Sequence, residues 1–482
     1  MYEKLIEKGL RLTIEAEDKI KKSDVQEEIV DELLILNKPL ISKEDVESIL
    51  NRRTTAPIIE VKHATSFLPI AKEYEADVNI MHTRDVTGKS RGKGEVDDFI
   101  SYFRNRYEKL ARLLHTGSKY PSADLKDIKR HVNEKVRVIV TISEKRETQK
   151  GNTLFEIEDL TGTFKAVVSA NKFSKEKEQV FEKSKHVLLD EVVAISGRVL
   201  EPYIIVEDIE WPDLPVLRER KLIEKDLAIA YISDMHFGSR YFLDHYLEAF
   251  SDWLHGKGEE RDLASKVKYI VVAGDIVDGI GVYPNQEKEL VVKDIYKQYQ
   301  MFDDFLERVP DYITVIMAPG NHDAVRRGEP MPAIPKDLVK SEIVRVGNPS
   351  CVSIEGLKHL IYHGTSMDSL IAALPNASYT HPEKVMVEYL KRRHLSPIYG
   401  GNLIIPEKVD YFVIEDEPDV LHCGHVHKNG YALYRGTLVI NSGTFQDRTE
   451  YQIKQGHVPT PAIVPVYEAK YGRLKSIDFK TS

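Results

Sequence analysis

Cysteine is nearly absent: the 482-residue chain has two, Cys351 and Cys423. Two thiols can form one disulfide at most, and their spacing matches neither a thiolate zinc site nor a redox pair, so both are expected to be reduced and structural. Long apolar runs are missing as well. No uninterrupted stretch approaches the ~20 residues a membrane-crossing helix needs, so no such helix and no membrane role is expected. The first ten residues, MYEKLIEKGL, hold no apolar segment of the secretory kind, and an intracellular, cytoplasmic protein is expected. Net positive charge is also lacking. At a formal −9, the chain does not coat nucleic acid by bulk attraction, and any such contact must be local. What remains is the composition of a globular protein, in a chain long enough for two or three hydrophobic cores.

The pattern along the chain divides it into four stretches. Residues 1–50 alternate short apolar clusters with charge, and Ser23 with Gln26 and Ser42 with Asp45 make capping boxes, so a small helical module is expected. Leu33, Leu34 and Leu36 would form its own core, with a partner surface as the alternative. Residues 51–129 read as a connector, partly flexible, with a helix over 96–114. Its basic, glycine-punctuated stretch 84–94 fits a solvated, mobile linker, with a phosphate-facing loop as the alternative. From 130 to 215 the period becomes that of strands, at 136–140, 153–157, 164–168, 192–196 and 203–206, with a turn at 159–163. Five short strands suit a small barrel, and their order and spacing look like an oligonucleotide/oligosaccharide-binding (OB) fold. Few aromatics look exposed there, which puts a protein-docking role slightly ahead of strand binding. After Pro212 and Pro215, residues 222–482 alternate apolar strands with amphipathic segments in the α/β manner.

The chemistry lies in that last stretch, where five polar clusters each follow an aliphatic run. They are Ser233-Asp234-Met235-His236, Gly274-Asp275, Gly320-Asn321-His322-Asp323, His363-Gly364 and Gly424-His425-Val426-His427. Each is expected on a loop beyond the carboxyl end of a buried strand, the edge at which open α/β sheets bind ligands. Oxygen and imidazole donors without thiolate suit Mn²⁺, Mg²⁺, Fe²⁺ or Zn²⁺ in a catalytic site. In an extended segment residues i and i+2 share a face, so Asp234/His236 and His425/His427 are each expected to grip metal from one loop. The flanking glycines suit close approach of backbone to ions or phosphate. Any one cluster alone is ordinary turn chemistry, but five in one domain define a site.

These motifs resemble those of the calcineurin-like metallophosphoesterase superfamily. The resemblance implies an αββα sandwich, here preceded by the barrel and the helical module in an α/β and all-β multidomain chain. It also implies two divalent ions, one held by Asp234, His236 and His427, the other by Asn321, His363 and His425, with Asp275 bridging both. His322 is then left beside the substrate as the catalytic group, to protonate or stabilise the departing oxygen. Asp323 is a candidate for orienting its imidazole, or else a loop cap, and Asp278 is a candidate partner for a ligand histidine, or else a cap.

The segments LKRRHLSPIYGG at 390–401, DVLHCGHVH at 419–427 and NSGTFQ at 441–446 are similar to the small subunits of archaeal family D DNA polymerases, and to the B subunits of eukaryotic replicative polymerases. The similarity extends from about residue 130 to the last residue. It implies a two-metal 3′→5′ exonuclease for proofreading, Mn²⁺ as the first choice of ion, and a heterodimer with a large catalytic polymerase subunit. The substrate implied is DNA with a single-stranded or mismatched 3′ end, with a sliding clamp reached through the complex. Lys391, Arg392 and Arg393 read either as a phosphate contact or as a solvated helix end. Two alternatives stand beside this reading: a stand-alone metallophosphatase or nuclease, and a mainly structural polymerase subunit.

Overall fold

The computed structural model describes residue 5 and residues 8–23, 26–36, 38–54, 67–115, 120–171 and 174–481. Contacts divide the chain into two units, residues 1–66 and 67–482. In the first, Thr13 caps helix Ile14–Lys21 by accepting from Ala16 N (3.2 Å). Helices Gln26–Leu36 and Lys43–Thr54 follow. The second expected capping box forms: Ser42 N donates to Asp45 Oδ2 (2.8 Å), and Asp45 N to Ser42 Oγ (3.4 Å). At the first, residues 24–25 lie outside the described ones; the Gln26 amide donates to Lys21 O (2.9 Å), at the end of the preceding helix. Strands β1 (Arg11–Leu12) and β2 (Leu40–Ile41) pair in parallel. Ala16, Ile20, Ile29, Val30, Leu33, Val46 and Ile49 form the core, whereas Leu36 faces solvent.

The second unit begins with a departure from expectation. Part of the stretch read as a connector is built into the sheet structure: β3 (Val78–Ile80) pairs antiparallel with β13 (Ser350–Ile354). The basic segment after it is anchored as well. The Asp85 carboxylate accepts from Gly347 N and Ser350 Oγ, and Glu407 accepts from Arg91 N and Gly92 N (both 3.0 Å). Partners more than 250 residues away hold this segment, which composition alone had suggested to be a mobile linker.

Helix Val96–Leu114 forms as expected and wedges between two larger bodies. On one side is the closed barrel of β4 (Lys135–Glu147), β5 (Thr153–Asp159), β6 (Gly162–Val168), β7 (Val192–Leu200) and β8 (Tyr203–Glu210), in the order β4-β5-β6-β8-β7. Leu110, Ala111 and Leu114 of the helix pack on Ile139, Val192 and Ala194 of the barrel and on Val413 beyond it. On the other side, buried Arg106 donates from Nε to Asp410 Oδ2 (2.8 Å), from Nη2 to Tyr102 OH (2.7 Å) and from Nη1 to Pro397 O (3.1 Å).

That other body is a pair of six-stranded sheets. One has β9 (Ala228–Ile232), β10 (Val267–Ala273), β11 (Thr314–Ala318), β12 (Val344–Arg345), β18 (Ile463–Glu468) and β19 (Arg473–Asp478), in the order β12-β11-β10-β9-β18-β19. The other adds β14 (Leu357–Ile361), β15 (Val420–Cys423), β16 (Asn429–Tyr434) and β17 (Thr437–Ser442) to β3 and β13, in the order β16-β17-β15-β14-β13-β3. The strands β9, β10 and β11 are parallel to one another and buried on both faces, which is why they read as unbroken apolar runs. Ile229 and Tyr231 point between the sheets to meet Ile361 and Ile440. The alternate residues Ala230 and Ile232 face outward onto helices Asp244–Leu254 and Ile295–Glu307, through Leu247, Phe250, Phe302 and Phe305. Outside the second sheet, Leu421, Cys423 and Val439 pack on helices Met367–Ala373 and Pro382–Arg392. The layers are therefore helix, sheet, sheet, helix. Cys351 and Cys423 are both free and buried, and among the described residues no helix is long and apolar enough to cross a membrane.

Candidate metal centre

Parallel strands of both sheets deliver their C-terminal loops to one place. β9 leads into Asp234 and His236, β10 into Asp275, β11 into Asn321 and His322, β14 into His363, and β15 into His425 and His427. The approach expected for Asp-x-His is present, with His236 Nε2 4.0 Å from Asp234 Oδ1, whereas His425 and His427 of His-x-His turn to different neighbours, Asn321 and Asp234; the backbone of neither is extended. Asp234, His236, Asp275, His425 and His427 all have left-handed φ, at 51°, 54°, 50°, 70° and 54°. Asp234 and His236 converge through a tight left-handed turn, at a cost on the order of 1–3 kcal/mol per residue. Cross-loop hydrogen bonds hold it: Asp234 N donates to Gly274 O (2.9 Å) and His236 N to Asp275 O (3.1 Å).

The side chains form two lobes around Asp275. In one, Asp234 Oδ1 lies 3.3 Å from His427 Nε2, and His236 Nε2 lies 3.1 Å from His427 Nε2 and 3.7 Å from Asp275 Oδ2. In the other, Asn321 Oδ1 lies 2.9 Å from His363 Nε2 and 3.1 Å from His425 Nδ1, and His363 Nε2 is 3.3 Å from Asp275 Oδ2. Asp234, His236 and His427 bring one ligand atom each within 4.8 Å of one another, as do Asp234, Asp275 and His363. Seven oxygen and nitrogen donors converging without thiolate fit divalent ions.

The next layer selects which nitrogen faces inward. His236 Nδ1 meets Asp278 Oδ1 (3.0 Å), His363 Nδ1 meets Ala273 O (2.8 Å), and His425 Nε2 meets Asp368 Oδ2 (3.2 Å). Each acceptor takes an N–H, leaving Nε2, Nε2 and Nδ1 respectively as lone-pair donors toward the cavity. His427 Nδ1 meets the side-chain amide of Gln452 (2.9 Å). Asp278 also accepts from Gln286 (3.0 Å) and Gln446 (3.1 Å), so it sits against the His236 imidazole with two amides behind it. Burial alone would raise the Asp275 carboxyl, but the His363 and His322 imidazoles outweigh it and hold the group well below the usual range. Burial opposes charge on His363, and Asp275 overrides it, raising that imidazole to about 10, so a divalent ion held there would displace the proton from Nε2.

His322 borders the same cavity, with Nε2 4.0 Å from Asp275 Oδ2. Its ring is oriented by Nδ1–H donating to Asp278 O (2.8 Å), not by Asp323. Asp323 is the loop cap of the two readings: it accepts from Gly320 N (2.8 Å), Val277 N and Ile276 N (3.4 Å each) and Tyr299 OH (3.1 Å). Burial, helped by Asp275, raises its carboxyl to about 7. Gly320 and Gly424 are required by close approach, since a Cβ would stand 2.2 Å from Asp275 Oδ1 or 2.3 Å from Asp234 Oδ2.

The basic trio lies elsewhere and is spoken for. Arg392 is buried, with Nε 2.9 Å from Glu191 Oε2 of the barrel, and also pairs with Glu388. Buried Arg393 donates to Ile414 O (2.6 Å) and pairs with Glu417 (3.0 Å), and Lys391 pairs with Glu388 (2.6 Å). Two of the three hold the fold together, where sequence had offered a phosphate contact or a solvated helix end. Sequence reasoning missed Asp368, Gln286 and Gln452. None lies in a strand-end cluster, and only distance in space reveals them.

The calcineurin-like phosphoesterase family matches residues 227–429, the stretch that carries all seven donors. Over 393 residues the chain is 43% identical to the DNA polymerase II small subunit of Archaeoglobus fulgidus, covering 80% of this chain and 78% of that one. It is 41% identical to the protein of that name from Methanocaldococcus jannaschii (84% and 69% covered), and 39% identical to that from Methanothermobacter thermautotrophicus (85% of each).

Proposed function

The chain belongs to the DNA polymerase II small subunit family, and from that premise we propose that it is a two-metal 3′→5′ exonuclease that removes misinserted nucleotides for a separate large polymerase subunit. The observation that carries the proposal is the intact two-lobed donor set. Asp234, His236 and His427 would hold one ion, Asn321, His363 and His425 the other, and Asp275 both. A bound pair of Mn²⁺ ions, or of Mg²⁺, Fe²⁺ or Zn²⁺, would supply Lewis acidity and an activated water for in-line phosphodiester hydrolysis. The chain's own groups do the rest. Asp278, Ala273 O and Asp368 fix the ligand imidazoles, so their lone pairs are aimed before substrate arrives. His322, fixed through Nδ1, presents Nε2 to the departing oxygen. Asp323 braces the loops that carry Asp275 and His322.

The substrate proposed is a DNA strand with an unpaired 3′ end, since a mismatched terminus frays more readily than a paired one. The barrel is proposed as an OB fold used chiefly for docking, the large subunit as its heterodimeric partner, the cytoplasm as its location, and a sliding clamp as a contact made through the complex. The test is Mn²⁺-dependent shortening of a 5′-labelled primer with a mismatched 3′ end, by wild type, Asp275→Asn and His322→Ala, each with and without the large subunit. Stepwise shortening that both substitutions abolish is expected. No shortening by folded, metal-loaded wild type in either state would overturn the proposal in favour of a structural subunit.

A further inference from the structure

One side of the catalytic cavity is lined with rings that no metal-binding role uses. The cavity holds about 250 Å³. On its rim, Tyr379 and His457 lie ring against ring, with centroids 4.0 Å apart and planes 36° apart, both half-buried. Tyr451 stands on the same rim, 62% exposed.

Both elements are tied to ligand histidines. Tyr379 OH donates to Asp368 Oδ1 (3.0 Å), and Asp368 Oδ2 meets His425 Nε2 (3.2 Å). Tyr451 lies in the first turn of helix Glu450–Gln455, whose Thr449/Gln452 capping box places the Gln452 amide on His427 Nδ1 (2.9 Å). The rings are thus held at a set distance from the centre. Arg448, next to the rim residue Thr449, has no ion-pair partner among the described residues, and its Nε has no hydrogen-bond partner among them.

Flat rings half open to solvent, a free cation beside them and a hydrolytic centre below suit one kind of ligand. Resting on the exonuclease reading, we propose that Tyr451 and the Tyr379–His457 pair form a nucleobase subsite that takes the unpaired bases at the end of a single DNA strand. Every base has a π-face, so stacking accepts all four bases, as removal of any misinserted nucleotide requires. Arg448 supplies positive charge for the strand's phosphates. The cavity is small for a duplex end, where both strands would have to enter, so the subsite selects frayed over paired termini.

The test uses the complex with the large subunit in Mn²⁺ and two single-stranded oligonucleotides, one ordinary and one whose two 3′-terminal nucleotides are abasic tetrahydrofuran units. Wild type is expected to shorten the ordinary strand at least about tenfold faster in kcat/KM, in line with the strength of base stacking on aromatic side chains. The Tyr451→Ala/His457→Ala variant is expected to lose that preference by slowing on the ordinary strand, and Tyr451→Phe to keep it. Equal rates on both strands in wild type, or a preference that survives in the double variant, would overturn the subsite while leaving the exonuclease intact. No shortening of either strand by wild type would overturn the exonuclease reading, and the subsite with it.

Discussion

Replacing Gly424 by alanine adds one carbon where the centre has no room for it. The Gly424 amide donates to His363 O (2.8 Å), and a Cβ on it would stand 2.3 Å from Asp234 Oδ2 and 2.5 Å from Ser233 Oγ. Real Cβ contacts essentially never fall under 3.0 Å, so the carboxylate would have to yield by about 0.7 Å. It is not free to do so, because the same oxygen accepts from His425 N at 2.9 Å. Ligand distances tolerate only about ±0.2 Å, so the displaced Asp234 no longer reaches the ion it would hold. Losses of this kind weaken metal binding by about ten- to a hundredfold, or roughly 1.4–2.7 kcal/mol. Calorimetric titration of the metal-stripped protein with Mn²⁺ reads this directly, and thermal melting in chelator checks the fold. Gly400→Ala is the control: at φ +78° with nothing within 4 Å, it should cost about 1–2 kcal/mol of stability and no affinity. Two ions bound by Gly424→Ala with wild-type affinity would refute the crowding argument.

Two further outcomes concern stability. Arg106→Met strands Asp410 in the interior without its ion-pair partner, beside the neutral His394 imidazole (2.9 Å), and should cost about 3–5 kcal/mol in urea unfolding. Adding Asp410→Leu should restore part of the loss, and a single-variant cost below about 1 kcal/mol would show the buried pair to be dispensable. Burial lowers His359 to about 4, and burial together with Arg106 does the same for His394. Both stay neutral in the folded protein while the unfolded chain takes up protons near 6.5, so their contribution is complete above that pH and is lost as pH falls from about 6.5 to 4. At most roughly 3 kcal/mol per residue is at stake. Urea midpoints should therefore drop between pH 7 and pH 5, and His359→Asn should flatten the slope; a midpoint that stays level would contradict the assignment.

Most donor residues were legible because they follow a strand buried on both faces, whose apolar run ends abruptly in metal-competent side chains; β14, ahead of His363, is half-buried at Lys358 and Leu360. The barrel strands and helix Val96–Leu114 were legible because local period and turn residues suffice to specify them. What sequence did not reveal is nonlocal. Asp234 and His236 meet through left-handed turns and not along an extended strand, and His425 and His427 go to different lobes, so only one of the two expected pairs is brought together. β3 has three residues and no period to detect, and it is specified by its pairing with a strand some 270 residues later. Arg392 looks like a surface cation until Glu191, 201 positions earlier, is found beside it. Likewise Asp368 shows its relation to His425 only once two loops have met.

Helix Val96–Leu114 has a mechanical consequence. One face is sealed to the barrel by Leu110 and Leu114, and Arg106 bolts it to Asp410 on the sandwich side, while Arg392 reaches from the sandwich to Glu191 of the barrel. With a wedge and a strut spanning the same joint, displacing the barrel from the sandwich would require breaking buried apolar and ion-pair contacts. A load placed on the barrel is therefore passed through buried contacts to the sandwich that carries the metal-competent loops.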